Sequence, residues 1–202
     1  MGLRRRVFAA SYDRFTASAE RNGLAAARHE LLSRVQGRVL EIGAGTGRNI
    51  DHYPPGHGVT FTEPDPYMAK RLHARGVEVV EAGAEALPFD DGSFATVVST
   101  LVLCTVPDVP ATLHELRRVL APGGRLLFLE HVRAEEGSRT QRWQDRLHGP
   151  WHALACGCNC NRDLLATLAA ASFTIHDLRR ENWRFMPAIV RPVIAGVASP
   201  NL

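Results

Sequence analysis

Apolar residues along this chain follow two rhythms, and the points where one gives way to the other outline the fold. From residue 4 to about 35, Val7, Phe8, Leu24, Leu31 and Leu32 fall at helical spacing, broken at Asn22-Gly23, which predicts two helices. Arg38 to Ile42 then predicts a buried strand, Gly43 to Gly47 a sharp turn into a helix, and Val59 to Thr62 a second strand stopped by Pro64 and Pro66. A helix through Met68, Leu72 and His73 leads to a third strand over Val77 to Val80. Phe94 to Thr100 predicts a β-branched fourth strand, Val109 to Leu120 an amphipathic helix, and Arg125 to Glu130 a fifth strand after the turn Pro122-Gly123-Gly124. Residues 134 to 155 read as an insertion of one or two short helices. A helix near Arg162 to Ala171, a strand near Phe173 to Leu178 and an apolar stretch over Val193 to Ala198 follow. Strands alternating with helices predict an α/β fold: a doubly wound, mostly parallel sheet of seven strands with helices on both faces.

Composition narrows this further. With 202 residues, 45% hydrophobic and 22% charged, the chain has enough apolar material for one sizeable core and shows no linker or repeat, so a single domain is expected. The net charge of +3 arises from scattered arginines, the pattern of solvated helix faces; no nucleic-acid partner is expected, while peripheral membrane contact through the basic start Arg4-Arg5-Arg6 stays open. No apolar run approaches the roughly 18 to 20 residues of a transmembrane helix, so a cytoplasmic enzyme is expected. Cys104 stands alone, and Cys156, Cys158 and Cys160 alternate without paired histidines. Reduced thiols and no metal site are the expectation.

The strongest chemical signal is Glu41-Ile42-Gly43-Ala44-Gly45-Thr46-Gly47, which sets three glycines at alternate positions after a strand, where a cofactor can approach the main chain. A nicotinamide site would need a small residue at position 48, which is Arg48. Twenty residues past Gly43, Glu63 ends the second strand, where its carboxylate can accept both hydroxyls of a ribose.

Four motifs in order resemble the class I methyltransferases, especially the quinone and small-molecule branch. They are the glycine segment, Glu63-Pro64-Asp65-Pro66-Tyr67-Met68, Ala84-Glu85-Ala86-Leu87-Pro88-Phe89 with Asp91-Gly92-Ser93-Phe94, and Leu116-Arg117-Arg118-Val119-Leu120-Ala121-Pro122-Gly123-Gly124. The resemblance implies a Rossmann-like fold binding S-adenosylmethionine. Gly43, Ala44, Gly45 and Gly47 would line its methionine and ribose portions, Glu63 would hold the ribose, and Pro64 and Met68 would flank adenine. Ala84 and Glu85 would stand at the adenine amino edge, and Thr100 with Leu101 below the sulfonium. Relatives often carry Asp where this chain has Gly83, which leaves the amine contact to Glu85 or to backbone. Tyr12 resembles an aromatic that closes over the methionine end, with a buried core tyrosine as the other reading. Asn49 either contacts the methionine carboxylate or satisfies the turn.

Beyond residue 95, Thr100-Leu101-Val102-Leu103-Cys104-Thr105-Val106, Leu129-Glu130-His131-Val132, Pro150-Trp151-His152, Gly157-Cys158-Asn159 and Arg191-Pro192, together with Tyr53-Pro54-Pro55-Gly56, resemble the alkyl-thiol methyltransferase group. This implies a small-molecule acceptor methylated at sulfur, with N- or O-methylation of a lipid, quinone or secondary metabolite as the alternative. His131, at the end of the fifth strand, is expected as base or acceptor-positioner, against a structural histidine. Trp151, His152, Cys158 and Asn159 are the expected acceptor contacts. Residues 1–35 are expected to cover the cofactor site, and the 134–160 insertion to cap the acceptor within the 36–202 core.

Overall fold

Strand parity organises the molecule, whose computed structural model describes residues 2–201. Seven strands form one sheet in the order β3-β2-β1-β4-β5-β7-β6. They are β1 (Val39–Ile42), β2 (Val59–Thr62), β3 (Val79–Val80), β4 (Phe94–Thr100), β5 (Leu120–His131), β6 (Phe173–Asn182) and β7 (Pro192–Pro200). Only β7 runs against its neighbours β5 and β6. Because side chains alternate across a strand, Leu40, Ile42, Val97, Leu126 and Phe128 enter the core on one face, beneath Leu113 and Leu116 of α4 (Val109–Val119) and Leu168 of α6 (Leu164–Ala170). Val39, Val98, Leu127 and Leu129 enter the other, beneath Leu31 and Leu32 of α2 (Ala25–Leu32) and the segment carrying Trp183, Met186 and Val190. Helices cover both faces, as the alternation predicts.

The N-terminal helices are α1 (Gly2–Ala19) and α2, joined by a π-turn over Glu20–Leu24 in which Asn22 and Gly23 leave helical geometry. The chain breaks at the expected dipeptide because Gly23, at φ +132°, takes a conformation that side-chain-bearing residues avoid. After β2, α3 (Pro66–His73) starts at Asp65, whose carboxylate accepts the N–H groups of Tyr67 and Met68. The insertion forms α5 (Arg139–Leu154), capped by Ser138. Gln144 braces α5, the two N–H donors of its buried amide shared among the Val132, Cys160 and Ile189 carbonyls and its Oε1 accepting the Ala134 N–H.

Three expectations are corrected. The glycine turn leads into only a 3-10 turn, Ile50–His52, because Pro54 and Pro55 force Tyr53 into extended geometry and stop a helix. The third strand is confined to Val79–Val80. The fifth begins earlier: Leu120 pairs with Phe94 and Arg125 with Thr96, so Pro122-Gly123-Gly124 bulges out of a continuous strand.

Candidate active site

The carboxyl ends of β1, β2 and β4 open into a cavity of about 450 Å³, within the roughly 300–1,000 Å³ usual for small-molecule sites. Tyr12, Gly43, Ala44, Gly45, Asn49, Glu63, Pro64, Met68, Ala84, Glu85, Thr100 and Leu101 all line it, so residues scattered over ninety positions converge on one wall. Gly47 is the exception among the expected cofactor residues. A Cβ there would lie 2.7 Å from Ile50 Cδ1 and from Leu72 Cδ1, so this glycine, at φ +82°, serves the packing of the turn against α3. Gly45 differs: at φ +59° its absent Cβ would meet no protein atom closer than 3.9 Å, leaving the backbone open to a ligand.

Glu63 braces this cradle. Its Oε2 accepts the Gly45 N–H and its Oε1 the Asp65 N–H, each at 2.8 Å. Burial raises its pKa, opposed by those two N–H groups. In the next loop Glu85 Oε1 is buried without a hydrogen-bond partner among the described residues, beside Gly83. An orphaned acceptor of this kind asks for a donor from a ligand.

At the opposite end lies a polar cluster. Asn49 is 1% exposed; its Oδ1 accepts Arg28 Nη1 at 2.7 Å, while its Nδ2 donates to Glu41 Oε1 and Thr100 Oγ1. Asn49 is thus a bracket between strand ends, with its amide already engaged. Tyr53 donates its hydroxyl to Glu41 Oε2, and burial pushes the Glu41 acid up to about 7. Arg28 is a cavity residue that motif reading missed. Its signal was present in α2: the charge falls four residues after Leu24 and three before Leu31, on the buried stripe.

Helix α1 forms the lid side, contributing Arg4, Arg5, Phe8 and Tyr12. Asp13 ties it to the glycine turn, accepting Thr46 Oγ1 at 2.6 Å and Arg48 Nε at 2.9 Å, and Arg5 pairs with Asp65. Burial pushes the Tyr12 phenol up to about 12, so it stays protonated near neutral pH. Across from it, Leu101 sits at φ +61°, a strained conformation that turns the chain out of β4. Glu130 holds that loop: its buried carboxylate accepts Ser99 Oγ and the N–H groups of Val102 and Cys104.

The acceptor-side expectations fare differently. His131 does not line the cavity. It shares a face of β5 with Leu127 and Leu129 and turns beneath the Val190 segment, 6% exposed, with Nδ1 unpartnered among the described residues. Burial pushes its imidazole down to about 4, so the ring is neutral near pH 7. His152 is exposed on α5, its ring 5.8 Å from that of His148. Trp151, one position earlier, faces inward. Cys158 is buried beside Cys104, whose thiol is held well above its usual range by the hydrogen bond to Cys158 and by burial. Asn159 ties two loops together, its backbone N–H donating to the Cys104 carbonyl at 2.7 Å and its amide to Gly157. Neither Cys158 nor Asn159 reaches the cavity; Cys156, at φ +47°, does.

A second cavity of about 340 Å³ runs between α1 and the end of α5, lined by Phe8, Ser11, Tyr12, Arg14, Phe15, Trp151, Leu154 and Ala155. Phe8, Tyr12 and Ala155 belong to both cavities and form their shared wall. All four cysteines are free thiols, and among the described residues no three His, Cys, Asp or Glu side chains gather as metal ligands and no helix is long and apolar enough to cross a membrane.

The first cavity fits S-adenosylmethionine: a glycine cradle open to the ligand, a buried carboxylate at the end of β2, and an orphaned acceptor at the far loop. Comparison with known proteins agrees. The methyltransferase domain family Methyltransf_11 matches residues 40–128. The human thiol S-methyltransferase TMT1A is 38% identical over 192 residues, covering 87% of this chain and 79% of its own. Human TMT1B is 36% identical over 171 residues, covering 76% of this chain and 70% of its own. A SAM-dependent methyltransferase of Thermotoga maritima superposes with a TM-score of 0.74 over 100% of both chains, and at 20% identity shows the shared fold. The chain therefore belongs to the class I S-adenosylmethionine-dependent methyltransferases, among the relatives of the thiol S-methyltransferases TMT1A and TMT1B.

Proposed function

We propose that this methyltransferase acts on the sulfur of a small thiol with an apolar body, and that the body lies in the cavity between α1 and α5. The observation that carries this reading is the shared wall: Phe8, Tyr12 and Ala155 connect an almost wholly apolar cavity to the one that suits the cofactor. When bound, S-adenosylmethionine supplies a methyl group on a positively charged sulfur, activated for in-line displacement.

In this reading Glu63 accepts the ribose hydroxyls, Pro64 and Met68 flank adenine, Glu85 Oε1 accepts the adenine amine, Gly43 and Ala44 line the methionine and ribose portions, and Gly45 lets the ligand approach the backbone. Tyr12 closes the site from α1, within the 1–35 segment, and the 134–160 insertion completes the acceptor wall through Trp151, Leu154 and Ala155.

Chemistry favours sulfur. A thiol of pKa about 8.5 already carries some thiolate at neutral pH, so positioning and exclusion of water suffice and no strong base is needed. Tyr12, held protonated, and His131, turned into the core, offer no base for a phenol or an ammonium acceptor. Among the described residues the charged group on the second cavity is Arg14, which suits a thiolate and disfavours a cationic amine. Both named thiol S-methyltransferases that this chain resembles act on sulfur by their names, which supports the same choice.

The test is formation of S-adenosylhomocysteine by purified protein given matched thiols, phenols, amines and a lipid amine. Turnover confined to apolar thiols is expected. Turnover of an amine or phenol with every thiol inert would overturn the assignment to sulfur while leaving the family untouched.

A further inference from the structure

We propose that Arg28 is the residue that receives the α-carboxylate of S-adenosylmethionine, which fixes the cofactor's direction in the cavity. The inference rests on the cofactor assignment above and goes beyond the motif residues, none of which supplies a cation at this position.

Arg28 is 2% exposed yet lines the cavity. Its Nε donates to Glu20 Oε1 at 3.2 Å, and its Nη1 donates to Asn49 Oδ1 at 2.7 Å and Thr100 Oγ1 at 3.0 Å. A guanidinium carries five N–H donors. Those three bonds occupy Nε and Nη1, while Nη2 makes no hydrogen bond among the described residues. Desolvating a cation is costly unless strong partners surround it; the one carboxylate in direct contact with Arg28 among the described residues is Glu20, at 3.2 Å, and Glu41 acts on it from beyond Asn49. A second carboxylate, from the ligand, would complete the set, and planar guanidinium groups are suited to that geometry.

The charges elsewhere on the wall support one direction. Glu63 and Glu85 stand at the end of β2 and in the 83–85 loop, where neutral donors from a ribose and an adenine suit them and an anion does not. Of the other arginines on the wall, Arg5 is already paired with Asp65 and Arg48 with Asp13, and Arg4 is exposed. Arg28 is the buried one, and Asn49, at the start of the 3-10 turn, and Thr100, at the end of β4, hold its Nη1 from two elements, which preorganises the guanidinium before the ligand arrives.

Calorimetric binding of S-adenosylhomocysteine and of its decarboxylated analogue, which lacks only the carboxylate, tests this without turnover. Wild type is expected to prefer the carboxylate-bearing ligand by on the order of 10- to 100-fold, the range for a charge-assisted hydrogen bond. Arg28→Met should bring that ratio close to one by weakening S-adenosylhomocysteine alone, and Arg28→Lys should restore part of it. A purely structural Arg28 would weaken both ligands equally and leave the ratio unchanged, which would overturn the proposal. Pairing Arg28→Met with Glu20→Gln removes the stranded carboxylate should the single variant fold poorly. The wild-type ratio needs no variant: equal affinity for the two ligands overturns the proposal directly, whereas failure of wild type to bind either would overturn the cofactor site itself.

Discussion

His131→Leu separates a core histidine from a catalytic one, and the structure sets the size of the effect. The imidazole is buried beneath the Val190 segment with Nδ1 unpartnered among the described residues, and its pKa falls from 6.5 to about 4. An unfolded chain takes up a proton at this residue below about 6.5, whereas the folded chain resists until about 4. The stability held by the neutral form is therefore present in full above 6.5 and is lost as pH falls through the interval to about 4. At roughly 1.4 kcal/mol per tenfold difference in proton affinity, the gap is worth about 3 kcal/mol. Leucine of similar volume has no proton to bind, so the variant should lose about 3 kcal/mol less than wild type between pH 7.5 and pH 4. Urea unfolding at several pH values, followed by circular dichroism, measures this difference, and comparison with the variant cancels the contributions of Glu41, Glu63 and other groups common to both. Parallel pH dependence in the two proteins would refute the reasoning. Turnover adds a second check: a core histidine predicts that His131→Leu keeps the wild-type pH profile of kcat/KM, while a base would take one limb of that profile with it.

Glu63→Ala removes the acceptor of the Gly45 and Asp65 N–H groups together with the proposed ribose contact, and should weaken S-adenosylhomocysteine binding on the order of 10- to 100-fold by calorimetry. An unchanged affinity would refute the site. Gln144→Leu leaves three carbonyls and one N–H without their buried partner and should cost about 3 kcal/mol or more in urea unfolding; a cost below about 1 kcal/mol would show that α5 does not depend on this brace. Phe15→Asp puts a charge on the apolar cavity at a half-exposed position and should raise KM for apolar thiols several-fold with cofactor binding unchanged. Equal KM values would move the acceptor elsewhere.

What the sequence by itself determined is what depends on short range. Short apolar and β-branched runs mark the central strands because both of their faces are buried, and the break at Asn22-Gly23 follows from the backbone freedom of a local dipeptide. The cofactor side was legible for the same reason: the glycine segment and Glu63 act through a turn and a strand end whose spacing is local, and the structure brings twelve of the thirteen expected residues to one wall. Gly47 falls outside because its constraint is contact with Leu72, far along the chain. On the acceptor side, only tertiary structure shows where the residues lie. His131 stands at a strand end in the order a functional residue would, but parity with Leu127 and Leu129 turns it into the core. His152 and Trp151 are adjacent in sequence, yet a helix rotates successive residues by about 100°, so one faces solvent and the other the cavity. Arg28 needed the packing of α2 over the ends of β1 and β4 before its charge met Asn49 and Thr100, because hydrogen bonds between residues 21 and 72 positions apart leave no periodic trace in the chain.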